Sequence, residues 1–290
     1  MIKEADKFES YPKIKEFLSK KGILGITPLK SRWRKENVIL RVDCKSGRYV
    51  FKRISGNDKV DEIERVKILK SEYPFIFTAV HVYEENAYLM DFIEGKSFFE
   101  LNSAEKIEKI NLAGRILTGS WNGQYFPKKD IRDRVKASFE RYREKGFRFF
   151  SNNELRTLDF SIFSSVSSQP SHNDLNAANL LYNKGIKLID PSNEGYEDIS
   201  RDIGRYLASC FFNNYDYFGN NKKTSLSIEY SFLCNFSSEL LDRAKYYAGE
   251  SFLSFLNFDT ISTSKETLKK LAINTLTKDK AIIKCLEEGL

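Results

Sequence analysis

Three side chains that can offer oxygen atoms as ligands lie close together in the sequence, in the middle of the chain. Asp174 is followed five positions later by Asn179, and Asp190 comes directly after a short apolar run. Transfer of a phosphoryl group needs one carboxylate that faces the attacking hydroxyl and a separate set of oxygen ligands for Mg²⁺. These residue types at this spacing therefore predict a catalytic Asp174, with Asn179 and Asp190 as metal ligands.

Two short apolar runs must position these side chains. Leu180–Tyr182 and Ile186–Ile189 are joined by Asn183–Gly185, a tight-turn signal, and together they predict a β-hairpin. One loop leads into the first strand, and a second loop begins at Asp190, just past the second strand. Because the strands pair, both loops are expected to carry carboxylates to neighbouring places.

The first ninety residues predict a small sheet with one helix between its strands, preceded by a short helix that ends at Gly22. Asp43–Gly47 supplies turn chemistry between two runs rich in β-branched and aromatic residues, which predicts a hairpin. The predicted elements are the helices Lys13–Lys20 and Asp58–Lys70, and strands within Val38–Val42, Arg48–Ile54 and Ala79–Met90, the last interrupted at Glu84–Asn86.

After Gly95 the pattern becomes helical, interrupted by the predicted hairpin. The predicted helices are Ala104–Leu117, Ile131–Lys145, Ile199–Phe212, Ile228–Ala248 and Glu266–Leu286. A small sheet followed by a helical half predicts an α+β fold.

The central residues resemble a known family. Ser171–Leu181 and Lys187–Pro191 resemble the catalytic region of the aminoglycoside phosphotransferase and choline kinase superfamily of protein-kinase-like enzymes, and match the pattern H-x-D-x-x-x-x-N with a strand-terminal Asp. Asp198–Gly204 resembles the helix start that follows in that family, and 202–208 is also similar to methylthioribose kinases. Tyr88–Gly95 more weakly resembles the hinge between two lobes.

This resemblance implies a bilobal protein-kinase-like fold. The N-terminal nucleotide-binding lobe, a small antiparallel β-sheet with one helix, is expected over 1–93, with a hinge at about 90–95. The mainly helical C-terminal lobe, with the short catalytic hairpin, is expected over 94–290. The implied cofactors are Mg²⁺ and ATP, with GTP as the alternative nucleotide.

The resemblance also extends to nucleotide-binding positions. Lys52 ends a run similar to the strand that bears the phosphate-binding lysine, and it can reach the phosphates if a helix acid restrains its flexible stem. Glu62 is the predicted acid, because the apolar residues of its helix then face inward, and Glu64 is the alternative. Asp91 and Ile93 are expected to bind the adenine edge through a backbone carbonyl and a backbone amide.

Other residues near the motif are expected to support it. His172 is interpreted as a brace for the catalytic loop, and Asp202 as a structural tie or helix cap. Asn173 stands where family members often have glycine, and asparagine tolerates unusual backbone angles better than most residues. The expected phosphate-covering turn, Ser31–Asn37, contains no glycine, so its Arg and Lys side chains are expected to bind phosphate instead.

A short loop argues for a small acceptor. Only Pro191–Glu197 separates Asp190 from the next helix start, whereas a protein kinase needs a long activation segment as a peptide platform. The prediction is phosphorylation of a hydroxyl on a sugar, amino alcohol or aminoglycoside, with Asn193, Glu194, Tyr196 and Glu197 near the acceptor. A compact atypical protein kinase, a non-catalytic nucleotide-binding module and a basic RNA-binding or scaffold protein are the alternatives.

Composition fits an ordinary folded protein. With 290 residues, of which 41% are hydrophobic, the chain can bury a sizeable core. It contains no apolar run long enough to span a bilayer and no signal-peptide region, so we expect a cytoplasmic protein without membrane contact. No nucleic-acid partner is expected, since the net charge of +7 comes from a mixed surface and Arg132–Arg148 is interpreted as a solvated helix with an apolar inner face. Oligomeric state is left open.

Overall fold

The structure is a computed structural model, and its described residues form two compact units. One unit comprises Met1–Gly95 and Asn183–Gly195, and the other comprises Lys96–Tyr182 and Tyr196–Leu290. The described residues are 8–29, 38–55, 59–72, 77–119, 127–144, 158–168, 171–176, 178–183, 185–191, 198–217, 230–256, 265–277, 282 and 284.

The helices and strands are numbered in chain order. The helices are α1 (Pro12–Lys21), α2 (Lys59–Glu72), α3 (Ser103–Gly119), α4 (Arg132–Glu144), α5 (Ile199–Tyr217), α6 (Ser238–Phe255) and α7 (Lys265–Thr277). The strands are β1 (Ile23–Pro28), β2 (Val38–Cys44), β3 (Gly47–Arg53), β4 (Val80–Tyr83), β5 (Ala87–Asp91), β6 (Lys96–Ser97), β7 (Lys128–Lys129), β8 (Val166–Ser167), β9 (Leu180–Tyr182) and β10 (Ile186–Leu188). Short 3₁₀ turns occupy Phe98–Glu100 and Ser161–Phe163.

The first unit contains a five-stranded antiparallel sheet in the order β1-β2-β3-β5-β4. The hairpin of β2 and β3 and the strand pair interrupted at Glu84–Asn86 both form as predicted. Gly22 ends α1 with a φ of 69°, a left-handed conformation that glycine adopts at little cost. The predicted antiparallel sheet of the N-terminal half is confirmed.

The two faces of this sheet differ in chemistry. Side chains alternate along a strand, so Tyr49 and Phe51 point to one face and Lys52 to the other. The first face joins the core that α1 builds with Phe8, whose ring meets the Phe51 ring edge-on at 5.1 Å between centroids. The opposite face presents Lys52 and its cross-strand partner Tyr88. One face therefore packs into the apolar core, and the other carries polar side chains that could take part in a reaction.

A distant segment completes the first unit. The Asn183 amide donates to the Gly185 carbonyl at 3.1 Å and closes the predicted turn before β10. The carbonyl of Leu188, in β10, accepts hydrogen bonds from the Thr78 amide at 3.4 Å and the Thr78 hydroxyl at 3.1 Å. These bonds hold the segment that ends at Asp190 to the chain preceding β4.

The second unit is mainly helical, as predicted, and α5 packs closely on α6. A Cβ atom on Gly204 would lie 2.4 Å from the Ala244 carbonyl oxygen and 2.8 Å from the Ala248 amide nitrogen. Glycine is needed there because the two backbones approach too closely for any side chain. At the start of α5, the buried Asp198 accepts the Ser200 amide at 3.1 Å and pairs with Arg243 of α6 at 2.7 Å.

One predicted helix, Ile228–Ala248, is wrong as a single element. The described part is helical from Tyr230, turns after Leu233, and begins a new helix, α6, at Ser238. The Asn235 side chain donates to the carbonyls of Ser231 and Phe232, at 2.9 and 3.0 Å, and so takes acceptors near the end of the first helix. Ser237 then caps α6.

Other helix ends also differ from the predictions. Helix α5 continues to Tyr217 instead of Phe212. Helix α7 is described over Lys265–Thr277, and Ile282 and Lys284 are also helical, while the rest of the predicted Glu266–Leu286 lies outside the described residues. Within the described ranges, no helix is long and apolar enough to cross a membrane.

Candidate active site

A buried ion pair lies on the polar face of the sheet. Lys52 Nζ of β3 lies 2.6 Å from Glu62 Oε1 of α2, and the two side chains are only 5% and 4% exposed. Glu64, the alternative partner, lies on the exposed side of α2 and pairs with Lys67. The geometry therefore selects Glu62 as the acid that restrains Lys52.

Asp190 also contacts the Lys52 ammonium through its Oδ1 atom, although 138 residues separate the two in the sequence. Its side chain is 50% exposed and its φ is 58°, a left-handed conformation that is uncommon for aspartate. A left-handed backbone at a residue other than glycine persists only where the surrounding structure holds it. Two residues before Asp190, the Leu188 carbonyl is hydrogen-bonded to Thr78. The fold thus keeps a half-exposed carboxylate beside a buried lysine.

Burial and neighbouring charges act in opposite directions on the pKa values of Lys52 and Glu62. Burial acts to lower the pKa of the Lys52 ammonium, but the carboxylates of Asp190 and Glu62 raise that pKa well above its ordinary value. Burial raises the pKa of the Glu62 carboxyl, and the neighbouring ammonium acts against the rise. Lys52 therefore stays cationic at neutral pH, and each partner depends on the other.

In the second unit, Asp174 and Asn179 lie side by side. The Asn179 Nδ2 atom donates to the Asp174 carbonyl at 2.9 Å and lies 3.4 Å from the Asp174 Oδ2 atom. A carbonyl can only accept, so this contact fixes the Asn179 amide with its nitrogen toward Asp174, and Oδ1 is the atom with which the predicted metal ligand would act. Asn176 shapes the turn between them, because its Oδ1 atom accepts the Ala178 and Asn179 amides at 2.9 and 3.2 Å.

The backbone just before Asp174 is held by side chains from several directions. Asn173 has a φ of 59°, the unusual angle that the sequence suggested for this position. Asp202 Oδ2 accepts the His172 amide at 2.7 Å, so Asp202 acts as the predicted tie. Arg205, which the sequence analysis missed, donates to the Asn173 carbonyl, and Ser171 donates to the Asn173 side chain at 2.9 Å.

Asp202 is also electrostatically unusual. Its complete burial raises the pKa of the carboxyl to about 6, while the amides of His172 and Asn173 act in the opposite direction. Since burial penalises the charged form, the hydrogen bonds from the His172 and Asn173 amides are what make the ionised state tolerable. The hydrogen bond from the His172 amide to Asp202 is therefore expected to weaken when the carboxyl becomes protonated.

The predicted adenine edge follows β5. The Asp91 amide donates to the Ala79 carbonyl at 2.9 Å, and the Asp91 carboxylate lies 2.6 Å from His81 Nε2. Both groups are thus used within the protein, and a role of the Asp91 carbonyl at the adenine edge stays a prediction.

Several predicted regions lie outside the described residues. These are the phosphate-covering turn Ser31–Asn37 and the acceptor-loop residues Asn193, Glu194, Tyr196 and Glu197. The predicted solvated helix is described over Arg132–Glu144, where Val135 and Phe139 are buried, so its apolar inner face is confirmed.

The donor set suits Mg²⁺ better than a softer metal. Within the described ranges, no three His, Cys, Asp or Glu side chains gather as a metal cluster. Asp190 offers a half-exposed carboxylate, and Asn179 offers an oriented amide oxygen. Hard oxygen ligands in small number fit a magnesium ion that keeps water and phosphate oxygens in its remaining positions. By its chemistry, each of the two predicted ligand residues suits the ion that the sequence implied, and a joint role remains a prediction.

The structure thus brings the predicted residues together in two groups. Lys52, Glu62 and Asp190 form one cluster in the first unit, and Asp174 and Asn179 form a second in the other unit. The sequence analysis missed three supporting side chains, Tyr88, Asn176 and Arg205.

Comparison with known proteins supports the resemblance through structure alone. No protein-family model matches this sequence, and no curated protein matches it. Solved structures do match over nearly the whole chain. A thermostable mutant of an aminoglycoside phosphotransferase, in its apo form, superimposes with a TM-score of 0.62 at 12% identity, covering 94% of this chain and 98% of that one.

Two further structures have the same fold. A protein from Thermobifida fusca that carries the name fructosamine-3-kinase gives a TM-score of 0.60 at 11% identity, covering 97% of this chain and 99% of that one. An amicoumacin kinase in complex with AMP-PNP, Ca²⁺ and Ami gives 0.56 at 13% identity, covering 94% and 96%. The protein therefore has the fold of small-molecule kinases related to aminoglycoside phosphotransferases, which confirms the resemblance at the level of fold.

Proposed function

We propose that the protein is a kinase that transfers a phosphoryl group from ATP, in the presence of Mg²⁺, to a hydroxyl of a small molecule. The observation that carries this proposal is the buried Lys52–Glu62 pair with Asp190 in contact with the same ammonium. Burying such a pair is a poor way to stabilise a fold, because desolvation offsets most of its attraction. In kinases, by contrast, the lysine, its helix acid and the metal-binding aspartate must all be in place.

Each residue has a proposed role in this reaction. Lys52 binds the phosphates of the nucleotide and is held by Glu62, while the Asp91 carbonyl and the Ile93 amide bind the adenine edge. Asp190 and Asn179 are the proposed metal ligands, and the ion they hold would neutralise charge on the phosphates. GTP is the alternative nucleotide.

Asp174 is the proposed catalytic residue. Its carboxylate orients the acceptor hydroxyl and accepts the hydroxyl proton as the phosphoryl group transfers. The bond from Asn179 to the Asp174 carbonyl, together with the Asp202 and Arg205 contacts to the preceding loop, restrains the backbone that carries this carboxylate. Such preorganisation is the main contribution that a protein makes to phosphoryl transfer.

The proposed acceptor is a small hydroxyl compound such as a sugar, an amino alcohol or an aminoglycoside. The seven-residue sequence Pro191–Glu197 is too short for the peptide platform of a protein kinase. We further propose that residues 1–93 form the nucleotide-binding lobe and residues 94–290 the lobe that binds the acceptor, with a hinge at about 90–95.

The test is transfer of label from γ-labelled ATP or GTP, with Mg²⁺, to a panel of sugars, nucleosides, amino alcohols, aminoglycosides and proteins. Asp174→Asn keeps the size of the side chain but removes the proton acceptor, so transfer should fall by about 10²-fold or more. Asp242→Asn, on an exposed position of α6, is the matched control and should transfer label like the wild type.

The outcomes separate the alternatives. Label on one small molecule, lost in Asp174→Asn alone, supports the proposal and names the acceptor. Label on proteins would favour a compact protein kinase, and nucleotide binding without any transfer would favour a non-catalytic module. Absence of nucleotide binding by the wild-type protein would overturn the proposed function altogether.

A further inference from the structure

A tyrosine hydroxyl shares the carboxylate that holds Lys52. Tyr88 of β5 is only 1% exposed, and its hydroxyl lies 3.2 Å from Glu62 Oε1, the oxygen that also contacts Lys52. Tyr88 and Lys52 face each other across β3 and β5 in the antiparallel register, and the ammonium lies 5.9 Å from the centre of the tyrosine ring. The three side chains therefore form one buried cluster.

The hydroxyl can act in this cluster only as a donor. Burial raises the pKa of the Tyr88 hydroxyl well above its ordinary value, so the group keeps its proton under ordinary conditions. A buried hydroxyl without a partner is costly, and a carboxylate oxygen is an acceptor. Tyr88 therefore donates to Glu62 and limits the positions that the carboxylate can take.

Glu62 needs this second donor because it is desolvated. Burial raises the pKa of its carboxyl, and the hydrogen bond from Tyr88 acts against that rise, as does Lys52. Without the hydroxyl, the carboxylate would have fewer donors to offset the loss of water and more freedom to rotate. Lys52, on a flexible four-carbon stem, would then lose its fixed direction.

We propose that Tyr88 is a positioning residue that acts through Glu62 to hold the Lys52 ammonium where it meets the nucleotide phosphates. The inference rests on the proposed function, since it assigns Lys52 to phosphate binding. It adds a structural link, because β5 continues from Tyr88 directly to Asp91, the proposed start of the adenine edge. One strand would thus set both the base-binding position and the partner of the phosphate-binding lysine.

The variant Tyr88→Phe tests this role, because it removes one hydroxyl and keeps the ring that packs against Lys52. We expect ADP to bind about tenfold more weakly, the scale of one hydrogen bond to a charged group, while adenosine binds as in the wild type. In turnover, the KM for the nucleotide should rise and the KM for the acceptor should stay constant. A general loosening of the fold would weaken adenosine and ADP alike.

Tyr49→Phe is the matched control. Tyr49 lies on the same strand as Lys52 but points to the opposite, apolar face, where its ring meets Phe17 edge-on at 5.4 Å. It loses the same atom from a similarly buried site, so its ADP and adenosine affinities should remain those of the wild type. Thermal unfolding of both variants shows whether each is folded at the assay temperature.

A second variant keeps the inference testable if Tyr88→Phe is less stable. In a Glu62→Gln background, Tyr88→Phe should add little further loss of ADP affinity, because the two residues act in series. Additive losses would overturn the inference, as would equal weakening of adenosine and ADP, or unchanged ADP affinity in Tyr88→Phe. If the wild type itself binds no nucleotide, the proposed function fails instead, which is a separate result.

Discussion

Replacing Asp202 with asparagine probes the buried carboxyl that binds the loop before Asp174. The carboxyl accepts the His172 amide at 2.7 Å and is completely buried, and its pKa rises from 3.8 to about 6. Burial causes this rise, which the nearby Arg201 and Arg205 and the backbone hydrogen bonds reduce but do not cancel. Asparagine has a similar shape and carries no charge to desolvate.

The sign of the effect follows from the direction of the pKa shift. The folded protein holds the Asp202 proton more tightly than the unfolded chain does. The contribution of this carboxyl to the free energy of unfolding is therefore fully present below about pH 4 and is lost as the pH rises through 6. The interval between 3.8 and about 6 corresponds to about 3 kcal/mol, an upper limit. The Asp202→Asn variant lacks this loss, so its stability relative to the wild type should improve with pH.

The assay is urea unfolding of wild type and Asp202→Asn at several pH values from 4 to 8. The free energy of unfolding of the variant, minus that of the wild type, should increase by up to about 3 kcal/mol between pH 4 and pH 7 and then level off. Asp242→Asn controls for removal of one surface carboxylate. A pH-independent difference for Asp202→Asn would refute the reasoning, because it would mean that this carboxyl titrates alike in folded and unfolded chains.

Three other substitutions have clear expected outcomes. Lys52→Met should abolish detectable ADP binding in calorimetry and destabilise the fold by about 3 kcal/mol, because it leaves Glu62 desolvated without its cation. Gly204→Ala should lower the free energy of unfolding by about 3 kcal/mol, since its Cβ would meet backbone atoms, whereas Gly25→Ala, where nothing lies within 4 Å, should not. Arg243→Met should cost about 3 to 5 kcal/mol by stranding Asp198, and adding Asp198→Asn should recover part of that loss in the same denaturation assay.

In the first unit, the sequence predicted where the strands and helices lie better than it predicted which side chains face each other. The alternation of residues around Lys52 was enough to predict a strand, but only the register shows that Tyr88 lies opposite it. Helical spacing allowed both Glu62 and Glu64, and the sheet decided between them because only Glu62 reaches its polar face. Such choices depend on tertiary packing, which a local pattern does not contain.

Local side-chain chemistry explains the other differences. The unusual backbone at Asn173 was foreseeable, because asparagine tolerates it, whereas no local signal announced the same conformation at Asp190, a residue whose segment is bonded to Thr78, distant in sequence. The break before α6 was missed because apolar periodicity continues through Asn235, whose side chain competes for backbone carbonyls. Periodicity reports the buried face of a helix and not where the helix is interrupted.

The segment that carries Asp190 has a consequence for how the protein folds during synthesis. The first unit closes only when Asn183–Gly195 joins Met1–Gly95, so its early residues leave the ribosome long before their last partner. Until then, the buried Lys52 lacks one of its two carboxylates. Domains generally fold as units during translation, but here the first unit must wait until the Lys96–Tyr182 part of the second has been made. Cutting the gene after residue 95 would therefore yield an incomplete unit instead of an independent domain.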